Sequence, residues 1–294
     1  MRLSLRQLQI FLAVADSGST MAAAQALALS QSAASAALNE LENLLNVQLF
    51  DRVGKRLLIN DNGRLLLPQA RQLLDGAALI EQQFAGAQAG IAGLRLAAST
   101  TIGIYHLPAI LAGFSVQQGA ALPQVLIANS AEVAGAVADF KADLGFIEGP
   151  CHQPELQVEP WISDELIIVC APTHALALAG KVGLKALREA SWLLREPGSG
   201  TREAVAHALL PHLHVLRPAG EFSNSEAIKH AAAAGLGLAC LSRVLVADML
   251  EAGQLVELAT SLPTLRRHFY LVLSRRKLLS ARLAGFLQFC REWT

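Results

Sequence analysis

The sequence predicts an all-α module at the N-terminus, one long helix after it, and an α/β domain in the remaining two-thirds. Three observations support this prediction. The 294 residues are enough for two ordinary domains, and 53% of them are hydrophobic, so a large core is available. Apolar residues recur at helical spacing through the first 90 residues. Beyond residue 91, short apolar strands alternate with helices.

Composition narrows the class of protein. The formal net charge is zero, which argues against a strongly basic coat but allows a basic patch on one small domain. Arg6, Gln7 and Gln9 interrupt the first apolar stretch, so it fits an amphipathic helix better than a signal peptide. No apolar run is long enough to span a bilayer. No cysteines form a Cys-x-x-Cys pair, so free thiols in a reducing cytoplasm are expected. The four are Cys151, Cys170, Cys240 and Cys290.

The N-terminal module is predicted to contain three short helices. The first runs from about Leu5 to Asp16, and the third runs from Gln31 to about Leu45 behind an N-cap at Ser30. An apolar stripe gives the third helix its core face. Its members are Ala34, Leu38, Leu41 and Leu45. Small polar residues lie on the other side, towards the helix start. These are Gln31, Ser32, Ser35 and Asn39.

Three short helices, the last beginning with small polar side chains, match a helix-turn-helix. Glutamine there pairs well with adenine, and serine with either base edge. The following stretch, VQLFDRVGKRLLIND, predicts a two-stranded wing whose cations reach phosphates. The predicted DNA-binding residues are Ser30, Gln31, Ser32, Ser35, Arg52, Lys55 and Arg56. The alternative is an alanine-rich helical hairpin whose polar face is only solvated.

A set of positions in the first sixty residues forms a signature. They are Phe11, Ala22, Ala23, Ala26, Leu27, Ser30, Gln31, Ser32, Ala33, Ser35, Leu41, Glu42, Leu49, Phe50 and Arg52. Together they resemble the N-terminal module of LysR-type transcriptional regulators. The resemblance implies a winged helix-turn-helix over residues 1–61, with Gln31-Ser32 beginning the recognition helix. Ser32 stands where proline is common, and Ala36 and Ala37 stand where larger side chains are frequent.

The charge of this module bears on how it binds DNA. Six cations stand against five anions in residues 1–65, so one module binds DNA weakly. Tight binding therefore requires two or more modules joined together.

Residues 62–90 are predicted to form the joining linker helix. An apolar seam repeats at alternating steps of four and three, which is the spacing of a helix–helix contact. It consists of Leu66, Ala70, Leu73, Ala77, Ile80 and Phe84. Pro68 fits the first turns of this helix or a kink, and Gly86, Gly90 and Gly93 mark its end. The resemblance implies a dimerising helix. The alternative is that the seam packs on the chain's own domain.

Residues 91–294 are predicted to form an effector-binding domain. Segments such as GLRLAAS, QVLIANS and DLGFIEG alternate with helices, which is typical of an α/β fold with largely parallel sheets. TIGIYHLPAILAGFSVQ predicts one helix, bent or started around Pro108. The resemblance implies a periplasmic-binding-protein-like domain with a ligand cleft between two subdomains. Subdomain I comprises residues 91–162 and 265–294, and subdomain II comprises residues 163–264.

Three polar clusters follow strand ends in this domain, where an α/β cleft would be lined. The first spans residues 99–101, the second residues 198–202 and the third residues 223–225. The candidate effector-binding residues are Ser99, Thr100, Thr101, Ile102, Glu148, Arg195, Ser199, Thr201 and Asn224. Hydroxyls, helix starts and an arginine together favour a small anion. The alternative is that each hydroxyl only caps its helix. The resemblance aligns Ser99 and Thr101 with hydroxyls of sulfur-oxyanion-sensing members. Glu148 departs from an anion-binding lining, and either pairs with Arg195 or receives a ligand amine.

Other motifs predict no catalytic or metal site. His207, His212 and His214 lack a carboxylate or cysteine beside them, and Pro211 is expected to break their helix. A redox role for Cys151, in GPCHQP, stays open, although no resolving thiol is evident. There is no Gly-x-Ser-x-Gly elbow. We expect no cofactor, no metal and no catalytic residue.

These inferences combine into one hypothesis and one rival. The chain is predicted to be a cytoplasmic LysR-type regulator that binds double-stranded DNA as a homodimer or homotetramer, with RNA polymerase open as a further partner. Its effector is expected to be a sulfur oxyanion or a short carboxylate. The rival is a cytoplasmic small-molecule-binding protein or transferase whose N-terminal helices only mediate assembly.

Overall fold

A computed structural model describes residues 3–54, 56–84, 93–118 and 122–293. The chain divides into two compact units. The first consists of Met1–Ala89 with Arg276–Ser280, and the second of Gly90–Arg275 with Ala281–Thr294. No helix among the described residues is long and apolar enough to cross a membrane.

The first unit contains four helices and a two-stranded hairpin in its described part. They are α1 (Leu5–Ser17), α2 (Thr20–Ala26), α3 (Gln31–Leu45), β1 (Phe50–Val53), β2 (Arg56–Ile59) and α4 (Asp61–Phe84). Ser4, Ser19 and Ser30 cap the first three helices by accepting backbone N–H groups. Gly18 ends α1 in the left-handed conformation, at φ +69°. The predicted three helices and wing are confirmed.

The linker helix α4 uses its apolar residues in two ways. It begins at Asp61, one residue earlier than predicted, and accommodates Pro68 within its length. Ala70 is buried in the core of the first unit, and Leu66 is partly buried against that core. Leu73 and Ile80, by contrast, are 51% and 61% exposed. The first part of the seam therefore packs on its own unit, and the second part does not. The predicted positions Gly86 and Gly90 and the side chain of Phe84 lie outside the described residues.

The second unit alternates strands and helices in its described part. The first group is β3 (Arg95–Ser99), α5 (Thr100–Tyr105), α6 (Leu107–Gln118), β4 (Gln124–Ala128), α7 (Ser130–Ala138), β5 (Leu144–Glu148) and β6 (Leu156–Cys170). The second group is α8 (Ala175–Leu178), α9 (Leu184–Glu189), β7 (Ser191–Arg195), α10 (Gly200–Leu213), β8 (Arg217–Phe222), α11 (Ser225–Ala233), β9 (Leu238–Ser242), α12 (Arg243–Glu251), β10 (Val256–Glu257), β11 (Leu265–Ser274) and α13 (Ala281–Glu292).

These strands form one sheet with two parallel flanks and an antiparallel centre. The order is β4-β3-β5-β11-β6-β9-β7-β8, with β10 pairing with β6. β3 runs parallel to β4 and β5, and β7 runs parallel to β8 and β9. β11 and β6 pair antiparallel with each other and with the flanks. The expectation of largely parallel sheets is thus wrong for the centre, where two long strands connect the flanks.

Two prolines are predicted to interrupt helices. The helix predicted to be bent or started around Pro108 does start there, because α6 begins at Leu107, and the residues before His106 form the separate helix α5. Pro108 is the second residue of α6, where its missing N–H costs no helical hydrogen bond. Pro211 does not break α10, because it lies two residues before the helix end and removes only one bond of the last turn.

Candidate functional sites

The polar start of α3 is exposed in the first unit. Gln31 and Ser32 are exposed, and Ser35 is half-buried. The Ser30 hydroxyl accepts the Ala33 N–H at 3.2 Å and lies 3.0 Å from the Ser32 hydroxyl. The buried stripe on the opposite face fixes the rotation of the helix, so these side chains remain available to a partner.

The hairpin after α3 presents cations near its turn. Arg52 and Arg56 are exposed, and the register pairs Val53 with Arg56 across the turn. Gly54 has φ +62°, which a two-residue turn favours in glycine. The third predicted cation, Lys55, lies outside the described residues.

A buried carboxylate positions the hairpin against α3. Glu42 is 7% exposed, and its Oε1 accepts the backbone N–H of Leu49 at 2.8 Å. Phe50 packs at 5.6 Å from the ring of Phe11. Glu42 was matched in the sequence only as part of the signature. Its contact shows that it connects the third helix to the wing.

In the second unit, Glu148 is the centre of a buried network. It is the last residue of β5 and is 2% exposed. Its Oε1 accepts the backbone N–H of Thr101 at 3.1 Å. Its Oε2 accepts the Thr201 hydroxyl and, at 2.6 Å, Nη1 of Arg267. The first two strand-end clusters therefore converge, as the sequence suggested.

Arg267 is the partner that the sequence analysis missed. Its Nη1 contacts Glu148, while its Nε donates to Asp164 Oδ2 at 2.7 Å. Nη1 also donates to the Thr201 hydroxyl at 3.0 Å, and the guanidinium lies 5.0 Å from the Phe269 ring centroid. An available signal was alternation: from Leu265 to Leu271 every second residue of β11 is buried, and Arg267 is one of these residues.

The charges of this network are set by burial and pairing. Burial alone raises the pKa of Glu148, but Arg267 and the hydrogen bonds outweigh it, so the pKa lies below its usual range. Burial alone lowers the pKa of Arg267, yet its two carboxylate partners raise the pKa overall. The pair is therefore ionised. Burial lowers the pKa of His106, which favours a neutral imidazole at pH 7.

Several buried polar atoms around the network have no hydrogen-bond partner of normal geometry within the described part of the chain. They are Ser99 Oγ, Thr101 Oγ1, His106 Nε2 and Arg267 Nη2. The Ser99 hydroxyl lies close enough to Glu148 to help lower its pKa. Ser99 also makes no side-chain cap to α5, so the helix-cap alternative does not describe it. These atoms offer hydrogen bonds to a small polar ligand.

The third predicted cluster is occupied by the protein itself. Arg195 donates to both oxygens of Glu196, at 2.7 and 2.9 Å, and to the Ser225 hydroxyl at 2.6 Å. The suggested pairing of Arg195 with Glu148 is therefore wrong, because the adjacent carboxylate takes the guanidinium. Asn224 caps α11 by accepting the Glu226 N–H at 2.7 Å.

Three more candidates have structural surroundings. Ser199 caps α10 by accepting the Arg202 N–H at 3.3 Å. Ile102 is fully buried in a hydrophobic cluster that also contains Phe146 and Phe269. Thr100 is 7% exposed as the first residue of α5. For Ser199 and Asn224, the helix-cap alternative fits the observed contacts.

Three of the four cysteines are buried. Burial raises the pKa of Cys170 to about 11 and that of Cys240 and Cys290 to about 12. Cys151 is free and half-buried. Over the described ranges, no group of three or more metal-ligating side chains is assembled.

The fold defines a class: a helix-turn-helix unit joined to an α/β domain with a buried polar site between its two flanks. The family model described as "LysR substrate binding domain" matches residues 90–294. The one described as "Bacterial regulatory helix-turn-helix protein, lysR family" matches residues 5–64. The chain belongs to the LysR family of transcriptional regulators.

Relatives agree with this placement. The chain is 51% identical over 290 residues to the uncharacterized HTH-type transcriptional regulator YeiE of Escherichia coli (strain K12), covering 99% of this chain and 98% of that one. Full-length OxyR from Pseudomonas aeruginosa has a TM-score of 0.78 at 20% identity, covering 99% and 94%. The Synechocystis CcmR regulatory domain, solved in complex with 2-PG, has a TM-score of 0.61 at 27% identity, covering 69% and 96%.

The family decides between the two hypotheses. The chain is a DNA-binding transcriptional regulator with a domain for a small-molecule effector, and it is not an enzyme. The predicted regulator class is confirmed, and the transferase rival is wrong.

Proposed function

We propose that this regulator responds to a small anion held beside Arg267. The observation that supports this most directly is the set of unpartnered donors on Ser99, Thr101 and Arg267, each at least nine-tenths buried. Hydrogen bonds made by a charged group in such a shielded place are stronger than those at the surface. The expected classes are a sulfur oxyanion and a short carboxylate.

The site contains residues of both proposed subdomains, and this gives a mechanism by which a ligand changes the conformation of the domain. Glu148 and Arg267 fall in subdomain I (residues 91–162 and 265–294), whereas Thr201 falls in subdomain II (residues 163–264). A ligand that contacts both sides favours the conformation in which they are close. The complex of the CcmR regulatory domain with 2-PG supports a small ligand in a related domain.

DNA binding is proposed to use α3 and the hairpin within residues 1–61. Gln31, Ser32 and Ser35 would face base edges, with Ser30 capping their helix. Arg52, Lys55 and Arg56 would contact phosphates. Replacing Gln31 by alanine should relax preference at one base pair by about 1–3 kcal/mol. Replacing Arg56 should weaken binding to all sequences alike. A Gln31→Ala variant with unchanged preference in a band shift would contradict this assignment.

Assembly is proposed to use the linker, residues 62–90. Leu73 and Ile80 lie seven residues apart on α4 and are both more than half exposed. A helix–helix contact there would form a homodimer. Pairing of dimers would form a homotetramer that compensates for the few cations of each module. Such an assembly would act at promoters in the cytoplasm, where RNA polymerase would be its further partner.

The effector proposal is tested on the full chain by thermal unfolding with sulfite, thiosulfate, sulfate, acetate and glycolate. A ligand that binds only the native state raises the unfolding midpoint. We expect at least one of these anions to raise it, and calorimetry to give an affinity tighter than millimolar. If none of them binds, the anion site is wrong.

A further inference from the structure

We propose that the site selects an anion that brings its own hydrogen-bond donor, a protonated oxyanion or a hydroxy-carboxylate, and that Glu148 imposes this choice. The inference rests on the proposed anion site and adds the protonation state of the ligand. Fully deprotonated dianions such as sulfate, and carboxylates without a hydroxyl, are disfavoured.

The first argument is the charge already present. Glu148 and Asp164 both pair with the single guanidinium of Arg267, so the network carries two negative charges and one positive charge. Arg195 does not supply the missing cation, because Glu196 holds it. A second full negative charge from a dianion would face uncompensated repulsion in a buried place. A singly charged ligand keeps that repulsion smaller.

The second argument is the hydrogen-bonding capacity of Glu148. Its Oε2 accepts two donors, the Thr201 hydroxyl and Arg267. Its Oε1 accepts one backbone donor, the N–H of Thr101. A carboxylate oxygen accepts two hydrogen bonds, so Oε1 has room for one more. The Ser99 hydroxyl lies nearby but makes no hydrogen bond of normal geometry. A ligand O–H supplies the second hydrogen bond that Oε1 accepts. A ligand oxygen without a proton is repelled by the lone pair of Oε1.

The groups facing Glu148 keep it an acceptor. Thr101 on α5, Thr201 on α10 and Arg267 on β11 all donate to it. Ser130 on α7 accepts the backbone N–H of Glu148. Asp164 on β6 accepts from Arg267, and the neutral imidazole of His106, between α5 and α6, lies near the charges of both carboxylates. Since the donors hold the carboxylate ionised, the proton of this hydrogen bond has to come from the ligand.

The remaining donors complete the recognition of such a ligand. Thr101 Oγ1 and Arg267 Nη2 are buried and have no hydrogen-bond partner among the described residues, and both donate readily to negatively charged oxygens. A ligand in contact with these groups therefore meets two donors and, at Oε1, an acceptor. This polarity matches an anion that carries both oxygen types.

The test compares matched ligands on the full chain by calorimetry. Glycolate and acetate differ by one hydroxyl, and sulfite and sulfate differ in whether a protonated form exists near neutral pH. We expect glycolate to bind about tenfold to hundredfold more tightly than acetate, and sulfite more tightly than sulfate by a similar factor. Sulfite affinity should fall as pH rises through neutrality, because its protonated form is depleted.

Two variants test whether Glu148 causes the preference for a ligand that carries a hydrogen-bond donor. In Glu148→Gln the amide also donates, so the preference for the hydroxyl-bearing or protonated ligand should shrink to less than threefold. In Thr101→Val both members of each pair should weaken alike, leaving the preference unchanged. If Glu148→Gln does not fold, the comparison of the two ligand pairs on the wild-type chain still tests the preference.

If sulfate binds as tightly as sulfite and acetate binds as tightly as glycolate, the inference is overturned. The proposed anion site is not affected by that result. An unchanged preference in a folded Glu148→Gln variant would remove Glu148 from the selection. Failure of all four ligands to bind would overturn this inference, and failure of thiosulfate as well would reject the proposed anion site itself.

Discussion

Two buried arginine–glutamate clusters lie at strand ends of the effector domain, and they differ in what they leave unpaired. Arg195 donates to both oxygens of Glu196 and to Ser225, and its remaining contact is the Ser223 carbonyl. Arg267 pairs with two carboxylates, yet its Nη2 has no hydrogen-bond partner in the part of the chain that the structure describes. The comparison teaches that an arginine beside hydroxyls at a strand end marks a ligand site only where hydrogen-bonding capacity remains.

The largest expected effect comes from removing Arg267. Arg267→Met leaves Glu148 and Asp164 buried without their counter-charge, and breaking such a pair from one side costs about 3–5 kcal/mol. Urea unfolding of the full chain, followed at the transition of the effector domain, measures the loss. Arg266→Met is the matched control, because its side chain is exposed on the same strand. Equal stability of the two variants would contradict the proposed network.

A smaller loss is expected at Arg195, and it should be one of stability alone. Arg195→Met removes the partner of Glu196, whose side chain is 18% exposed and therefore remains partly solvated. We expect about 2–3 kcal/mol of destabilisation, with effector affinity unchanged within twofold. Unfolding and calorimetry on the same preparation check both. A loss of effector binding in a folded Arg195→Met variant would restore the third cluster to the ligand site.

Acid should destabilise the Glu148 cluster. Its pKa is depressed in the folded chain, so its stabilisation is present above the unfolded value of about 4.3 and is lost as pH falls through the folded pKa. Glu148→Gln cannot titrate and should lose less unfolding free energy between about pH 5 and pH 3. Parallel pH slopes of the two chains over this range would indicate that the pKa of Glu148 is not depressed.

How much the sequence predicted follows from how local each feature is. The helices of the first unit depend on neighbours: Ser30 caps α3, and a stripe four residues apart buries its core face. The positions of Ser99, Thr101 and Thr201 at strand ends could also be predicted, because a strand followed by a helix is a local pattern.

The partners across the site could not be predicted in this way. Arg267 lies 119 residues from Glu148, and its contact depends on β11 pairing antiparallel with β5 and β6. Nothing in the local pattern gives that register. The error over Arg195 has the same origin, since charge complementarity alone did not distinguish the distant Glu148 from the adjacent Glu196.

The most direct test of the account is calorimetric titration of the full chain with sulfite, comparing Thr101→Val with Ser225→Ala. Thr101 Oγ1 is buried and unpartnered, whereas Ser225 Oγ already accepts from Arg195 at 2.6 Å. We predict that Thr101→Val lowers affinity by about 1–3 kcal/mol, and that Ser225→Ala leaves it unchanged while reducing stability. Binding by Thr101→Val as tight as by the parent, or an equal loss in Ser225→Ala, would contradict the claim that unpaired hydrogen-bonding capacity distinguishes the effector site.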